Sequence, residues 1–265
     1  MKPFLLAVAQ LGAVRADKDA NLQHMAAAMH EAASAGAQAI VFPELSLTGY
    51  VLGDDVYALA EPRTGPSLQR LSALARESGL LTVYGWPESS EDGPIYDSAA
   101  LIERDGSLLD VYRKTHLFGR EAELFAAGER LSAIDTSLGR IGVAICYDLE
   151  FPETARLLAL DGARILVTLT ASTDPYAPYQ AVYTRARAME NSIYVATANT
   201  VGELDGRHFF GESSIVDPTG GVIAMAGRQD KVLIGEVDLT APHPAAEALR
   251  YLQNRRPELY GGLTH

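Results

Sequence analysis

The chain has 265 residues, 48% of them hydrophobic, and a formal net charge of -12. That is enough apolar material for one large α/β domain, and the acidic balance argues against a nucleic-acid backbone or an anionic membrane surface as partner. One cysteine excludes an internal disulfide and a cysteine-rich zinc site, and six histidines with neither H-E-x-x-H nor H-x-x-E-H spacing argue against a metal enzyme.

Taken in chain order, Phe4 to Gln10 reads as a buried strand. Its apolar run is too short for a secretory h-region and ends at Gln10. Asp17 to Ala35 has apolar Leu22, Met25, Ala26, Met29 and Ala33 at helical spacing, with Gly36 just past the end. Ala39 to Phe42 is a short strand leading into Pro43-Glu44. Gly53 to Gly65 reads as a surface loop, Ser67 to Ser78 as a helix stopped by Gly79, and Leu80 to Trp86 as a strand. A polar turn at 88–94 precedes a hairpin, with arms at 96–103 and 108–112 around Arg104-Asp-Gly-Ser107. Lys114 then opens a loop to Gly128. The second half repeats the alternation. Strands are expected at 141–145, 163–169, 193–198, 209–216, 222–226 and 232–237. Helices are expected at 152–160, 179–191 and 245–255, with a tail from about 255 to 265. No linker, low-complexity segment or composition break divides the chain, so residues 1–265 read as one domain. Alternating strands and helices with hairpins mixed in predict α/β layers with mixed sheets. No apolar run approaches the roughly 20 residues that span a bilayer, so a cytoplasmic protein is expected.

Three strand ends deliver reactive side chains: Glu44, Lys114 and Cys146. The thiol would sit where a buried strand ends and a helix is about to begin, with free backbone N–H groups nearby to bind an anion. A buried structural cysteine is the competing reading. A thiol is only a few per cent thiolate at neutral pH and needs a base, and no histidine lies near Cys146 in sequence. A desolvated carboxylate such as Glu44 can take its proton. A lysine ammonium can stabilise both the thiolate and the oxyanion that follows attack. Gly211-Glu-Ser-Ser-Ile215 lacks the final glycine of a nucleophile elbow, and neither a dinucleotide fingerprint nor a Walker loop is present.

Phe-Pro-Glu-Leu-Ser-Leu-Thr-Gly-Tyr50, Tyr-Arg-Lys-Thr-His-Leu-Phe118 and Gly-Val-Ala-Ile-Cys-Tyr-Asp-Leu-Glu-Phe-Pro-Glu153 occur in that order. Together they resemble the three signature blocks of the nitrilase superfamily of carbon–nitrogen hydrolases. The resemblance extends to Arg185–Asn191, Asp217–Gly220 and Arg255–Tyr260. It implies a four-layer α-β-β-α sandwich, with Glu44 as general base, Lys114 as catalytic lysine and Cys146 as nucleophile. It also implies a second glutamate in the loop after the lysine, for which Glu121 fits better than the nearby Glu123. No cofactor or metal is implied. Subunits of the family commonly pair, so a homodimer is expected, with the tail packed on the partner. True nitrilases usually follow the cysteine with Trp-Glu, whereas Tyr147-Asp148 here resembles the amidase and carbamoyl-hydrolase branches. A small primary amide is therefore the expected substrate, with N-carbamoyl compounds, ω-amides and nitriles behind it. The backbone N–H of Tyr147 is expected to hold the oxyanion, and Glu150 to sit at the pocket mouth or to cap the next helix. A rival of a different class is an inert binding or scaffold protein that keeps the fold. Arg185, Arg187 and Glu190 read as a structural ion-pair or interface feature.

Overall fold

The computed structural model describes residues 2–91, 93–240 and 242–264. Its first half runs β1 (Phe4–Gln10), α1 (Lys18–Ser34), β2 (Ala39–Val41), α2 (Asp55–Leu59), α3 (Pro66–Ser78), β3 (Leu81–Ser89), β4 (Ile95–Ile102), β5 (Leu108–Arg113) and α4 (Glu121–Leu124). The second half runs β6 (Ile134–Thr136), β7 (Gly139–Ile145), a 3-10 turn (Cys146–Glu150), α5 (Pro152–Leu160), β8 (Ile165–Thr170), α6 (Ala177–Asn191) and β9 (Tyr194–Asn199). It continues through β10 (Val201–Leu204), β11 (Arg207–Phe210), β12 (Ser214–Val216), β13 (Val222–Met225), β14 (Lys231–Val237) and α7 (Pro244–Leu249).

Two six-stranded sheets result, one in the order β14-β1-β2-β3-β4-β5, the other β13-β12-β9-β8-β7-β6. Strand alternation decides which side chains go where. In β1, Leu6 and Val8 enter the core between the sheets, while Ala7 and Ala9 face α1 and α3. In β7, Val143 and Ile145 point to the inter-sheet core, while Ala144 packs against α5 and α6. Both faces of both sheets are thus covered, and the layers stack helix, sheet, sheet, helix. The helix ends follow local chemistry: the Asp17 side chain accepts from the Ala20 N–H at the start of α1, and Gly79 closes α3 with φ +66°.

Several elements depart from expectation for identifiable reasons. The loops at 53–65 and 114–128 each fold a short helix, α2 and α4, too brief for periodicity to reveal. The strand expected at 209–216 is two strands in different sheets. It breaks at Gly211, whose φ is +70° and where a Cβ would stand 2.6 Å from the Gln10 side chain. The expected helix at 245–255 ends at Leu249, and Arg250 is left-handed at φ +48°. The expected turn at 88–94 starts later, because β3 runs on to Ser89.

That extension buries Glu88, which binds Arg63 and Arg113 and accepts from Ser98 Oγ at 2.8 Å. Burial raises its pKa, but the two guanidiniums and Ser98 outweigh burial and hold its carboxyl below the usual range. A depressed value means stability that is present above the unfolded value and lost as pH falls through the folded one. Glu88→Gln is expected to cost about 2 kcal/mol at neutral pH, since both arginines are partly exposed. Urea titrations should show that gap between variant and wild type closing as pH falls below the ordinary glutamate value of 4.5.

Candidate active site

Four side chains from three loops meet in the inter-sheet region. Glu44 follows β2, Lys114 follows β5, Glu121 opens α4, and Cys146 follows β7. Gly85 lets the first of these loops lie close to β3: a Cβ there would stand 2.5 Å from Leu45 N and 3.1 Å from the Glu44 carbonyl carbon. Glu44, Lys114 and Glu121 are all buried. Lys114 Nζ donates to Glu44 Oε1 at 2.5 Å and to a Glu121 carboxylate oxygen at 2.8 Å, and lies 3.6 Å from Asp97 Oδ2. Glu121 is fixed further by Tyr50 Oη at 2.5 Å and Phe118 N–H at 2.7 Å. Glu123, by contrast, is 65% exposed at its side chain and pairs with Arg120 at 3.3 Å.

Cys146 has φ +47°, a conformation that side-chain-bearing residues rarely adopt. The kink turns the chain from β7 into the 3-10 turn and leaves Cys146 partly open to a cleft. Its Sγ lies 3.7 Å from Ser172 Oγ in the loop after β8. Burial pushes the thiol well above its ordinary value, the Glu44 charge adds to this, and Lys114 opposes it. The resting group is therefore a neutral thiol. Burial also raises Glu44, against the pull of Lys114, which makes it a stronger base than a solvated carboxylate. Burial works against the Lys114 ammonium, but Glu44 and Glu121 outweigh it, so the lysine stays charged. A neutral thiol beside a basic carboxylate and a fixed cation is a set that can transfer a proton as sulfur attacks an electrophile.

The turn after Cys146 is held by Asp148, which is wholly buried. Its Oδ1 accepts from Thr115 Oγ1 at 2.8 Å and His116 N–H at 2.9 Å, and its Oδ2 from Tyr112 Oη at 2.7 Å and Ile145 N–H at 3.0 Å. This carboxylate joins the Lys114 loop to the Cys146 turn. Arg187 braces the same turn from α6, donating to the carbonyls of Leu149 and Glu150 at 2.9 and 2.8 Å and pairing with Glu190 at 3.0 Å. Arg185 donates to the Gly220 carbonyl at 2.9 Å.

The cleft over Cys146 has a volume of about 370 Å³, at the small end of ligand sites. Tyr50, Phe118, Tyr147, Tyr176 and Tyr179 give it aromatic walls, and Tyr147 and Glu150 both line it. Glu150 does not cap the following helix, whose N-cap is Phe151. Burial raises its carboxyl value, offset by Arg187. Arg120 and Arg207 line the same cleft, so its mouth carries two cations beside that carboxylate. Sequence reasoning passed over Asp97, Tyr50, Asp148 and Ser172. For Asp97 a signal existed, a lone carboxylate inside the small and apolar run Ile95–Ile102. Tyr50 and Ser172 gave none, since their roles arise only when distant loops meet.

The chain belongs to the carbon–nitrogen hydrolase family, whose sequence profile matches residues 5–244. It is 43% identical over 251 residues to "Hydrolase in pqqF 5'region" of Pseudomonas protegens, covering 94% of this chain and 87% of that one. It is 38% identical over 226 residues to an (R)-stereoselective amidase of Pseudomonas sp, with 85% and 82% covered. Among solved structures, the amidase from Nesterenkonia sp. AN1, determined as a double mutant in complex with acrylamide, superposes with a TM-score of 0.89 at 29% identity, over 98% of this chain and 97% of that one.

Asp148→Ala would leave several buried donors without an acceptor, each costing about 1–3 kcal/mol. A loss of at least about 3 kcal/mol is expected in chemical denaturation. In the folded fraction, iodoacetamide should reach Cys146 at an altered rate, because the turn that presents the thiol has lost its anchor.

Proposed function

We propose that the protein is an amidase that hydrolyses a small primary amide to a carboxylic acid and ammonia through a thioester on Cys146. The observation that carries this is the contact of Lys114 with Glu44 and Glu121 beside a partly open thiol. Cys146 Sγ attacks the amide carbonyl carbon while Glu44 takes the thiol proton. Lys114 and the Tyr147 backbone N–H hold the oxyanion of the tetrahedral intermediate. As the intermediate collapses, the carbon–nitrogen bond breaks and Glu44 passes its proton to the departing nitrogen, which leaves as ammonia. Water then attacks the thioester, again losing a proton to Glu44. The second intermediate expels the Cys146 sulfur, which recovers that proton as the acid departs. Glu121 keeps Lys114 in place. No metal or cofactor enters these steps.

Cys146→Ala should abolish ammonia release, a drop of several orders of magnitude. Glu44→Gln should let an acyl adduct build up on Cys146, visible by mass spectrometry. Wild-type turnover by Cys146→Ala would falsify the mechanism, and a protein that forms no adduct with any amide would be the inert scaffold instead.

Glu150 at the cleft mouth would attract an amine on the substrate and repel a second carboxylate. Arg120 and Arg207 in the same cleft favour a second reading, in which the substrate is an ω-amide or N-carbamoyl compound carrying a carboxylate. A panel of aliphatic amides, amino-acid amides, N-carbamoyl compounds, ω-amides and nitriles, scored by ammonia release, separates these. Preference for amine-bearing amides that Glu150→Arg reverses supports the first reading. Preference for ω-amides, lost in Arg207→Gln, supports the second. Turnover of nitriles alone overturns the amidase assignment.

The enzyme is further proposed to act as a homodimer of single-domain subunits in the cytoplasm, without nucleic-acid or membrane partners. Leu157, Leu160, Val182 and Met189 on α5 and α6 are exposed apolar side chains, Val182 at 62%, and such patches favour a protein partner. The tail adds Leu259 and Leu263. No helix among the described residues is long and apolar enough to cross a membrane, and a reducing compartment keeps the thiol free. Light scattering at micromolar concentration should give twice the chain mass.

A further inference from the structure

Asp97 stands in the middle of β4, on the face that looks into the inter-sheet core, and takes no part in the steps above. It is wholly buried, and neither of its carboxyl oxygens accepts a hydrogen bond from a donor among the described residues. Lys114 Nζ is 3.6 Å from Oδ2, close enough for charge attraction but too long for a hydrogen bond. Glu44 has a matching defect: Oε1 receives Lys114, while Oε2 is buried with no donor. Oxygens of Glu44, Asp97 and Glu121 lie within 4.8 Å of one another.

Counting charge shows what resolves this. Three ionised carboxylates around one ammonium would leave two uncompensated negative charges in a dry site, a costly arrangement. Carboxyl groups this close share protons rather than all ionising. Glu44 and Glu121 each accept from Lys114, and Glu121 also from Tyr50 and Phe118. Asp97 has no such donor to stabilise an anion, so it is the group that keeps a proton. A proton on Asp97 turns two orphaned acceptors into one donor–acceptor pair, directed at Glu44 Oε2.

We propose that Asp97 is a positioning residue, held as a neutral acid that donates a hydrogen bond to Glu44 Oε2 and so keeps the base ionised and correctly turned. Burial, followed by the Glu44 charge, pushes the Asp97 carboxyl well above its usual range, with Lys114 pulling the other way, in keeping with this. The inference rests on Glu44 as the base of the amidase reaction. It adds that the base is tuned through Oε2, the oxygen that does not receive the ammonium, by a proton that the reaction never consumes.

Two substitutions and one spectrum test it. Asp97→Asn supplies a neutral N–H donor in nearly the same volume, and Asp97→Leu fills the space without a donor. Asp97→Leu should lower kcat about 100-fold, the scale of general-base catalysis, with KM little changed, because the cleft is untouched. Asp97→Asn should recover kcat to within about tenfold of wild type, one neutral donor replacing another. In infrared difference spectra of aspartate-labelled protein at neutral pH, wild type should show a protonated-carboxyl stretch that Asp97→Asn lacks. This last measurement needs no turnover, so it judges the proton on Asp97 even if no amide proves to be a substrate. The proposal is overturned if that band is absent, if Asp97→Asn is as slow as Asp97→Leu, or if Asp97→Asn fails to fold. If Asp97→Leu alone fails to fold, the asparagine variant and the spectrum decide.

Discussion

The structure depends on one buried ammonium. Lys114 contributes a positive charge with no access to solvent, which is tolerated only because Glu44 and Glu121 approach within 2.8 Å. The dependence runs both ways. Without the lysine, two carboxylates that no water reaches would repel each other; without them, the lysine would lose its proton to escape desolvation. The loop after β2 and the loop after β5 are therefore each held to their course by charges on the other. The cost of assembling such a cluster is carried by the surrounding core, where apolar side chains of both sheets pack without exposure.

Around this centre is a shell of groups that take no proton. Asp148 ties the nucleophile's turn to the lysine's loop, Arg187 holds the far end of that turn, and Glu88 anchors the strand end from which Lys114 projects. Asp148 accepts from backbone N–H groups and hydroxyls, Glu88 from guanidiniums and a hydroxyl, and Arg187 donates to carbonyls and to Glu190; each constrains an angle rather than supplying chemistry. The left-handed backbone at Cys146 is kept by this shell. Such a conformation persists only where its surroundings determine it.

Much of this was legible in the residues. A short continuous apolar run placed β1 at its observed bounds, and Pro152 marked the start of α5, because apolar runs and proline chemistry act locally. The reactive set was legible because each member follows a strand end, where a side chain is both rigid and open to a cleft. The break at Gly211 was not, since apolar residues on both sides continue the strand pattern, and only the approach of Gln10 reveals the need for glycine. Asp148 was visible as a residue but not as an anchor, because its donors come from positions 112 to 116 as well as 145. Nor did the acidic residue at 150 predict the character of the cleft mouth. The arginines that share it come from α4's approach and from β11, far off in the chain.

The division of the reactive groups between the sheets has a consequence for biosynthesis. Glu44 and Lys114 hang from the sheet that contains β1, and Cys146 from the other. Neither sheet alone holds the thiol together with the Glu44 carboxylate. The first sheet, moreover, closes only when β14 pairs antiparallel with β1, Phe4 opposite Val237. Contacts so distant in sequence form late. On the ribosome, then, a chain that has already displayed its cysteine still lacks the edge strand that completes the sheet carrying Glu44 and Lys114. The nascent polypeptide therefore cannot bring thiol, carboxylate and ammonium together until nearly all of it has emerged, and until then its cysteine is an ordinary solvated thiol.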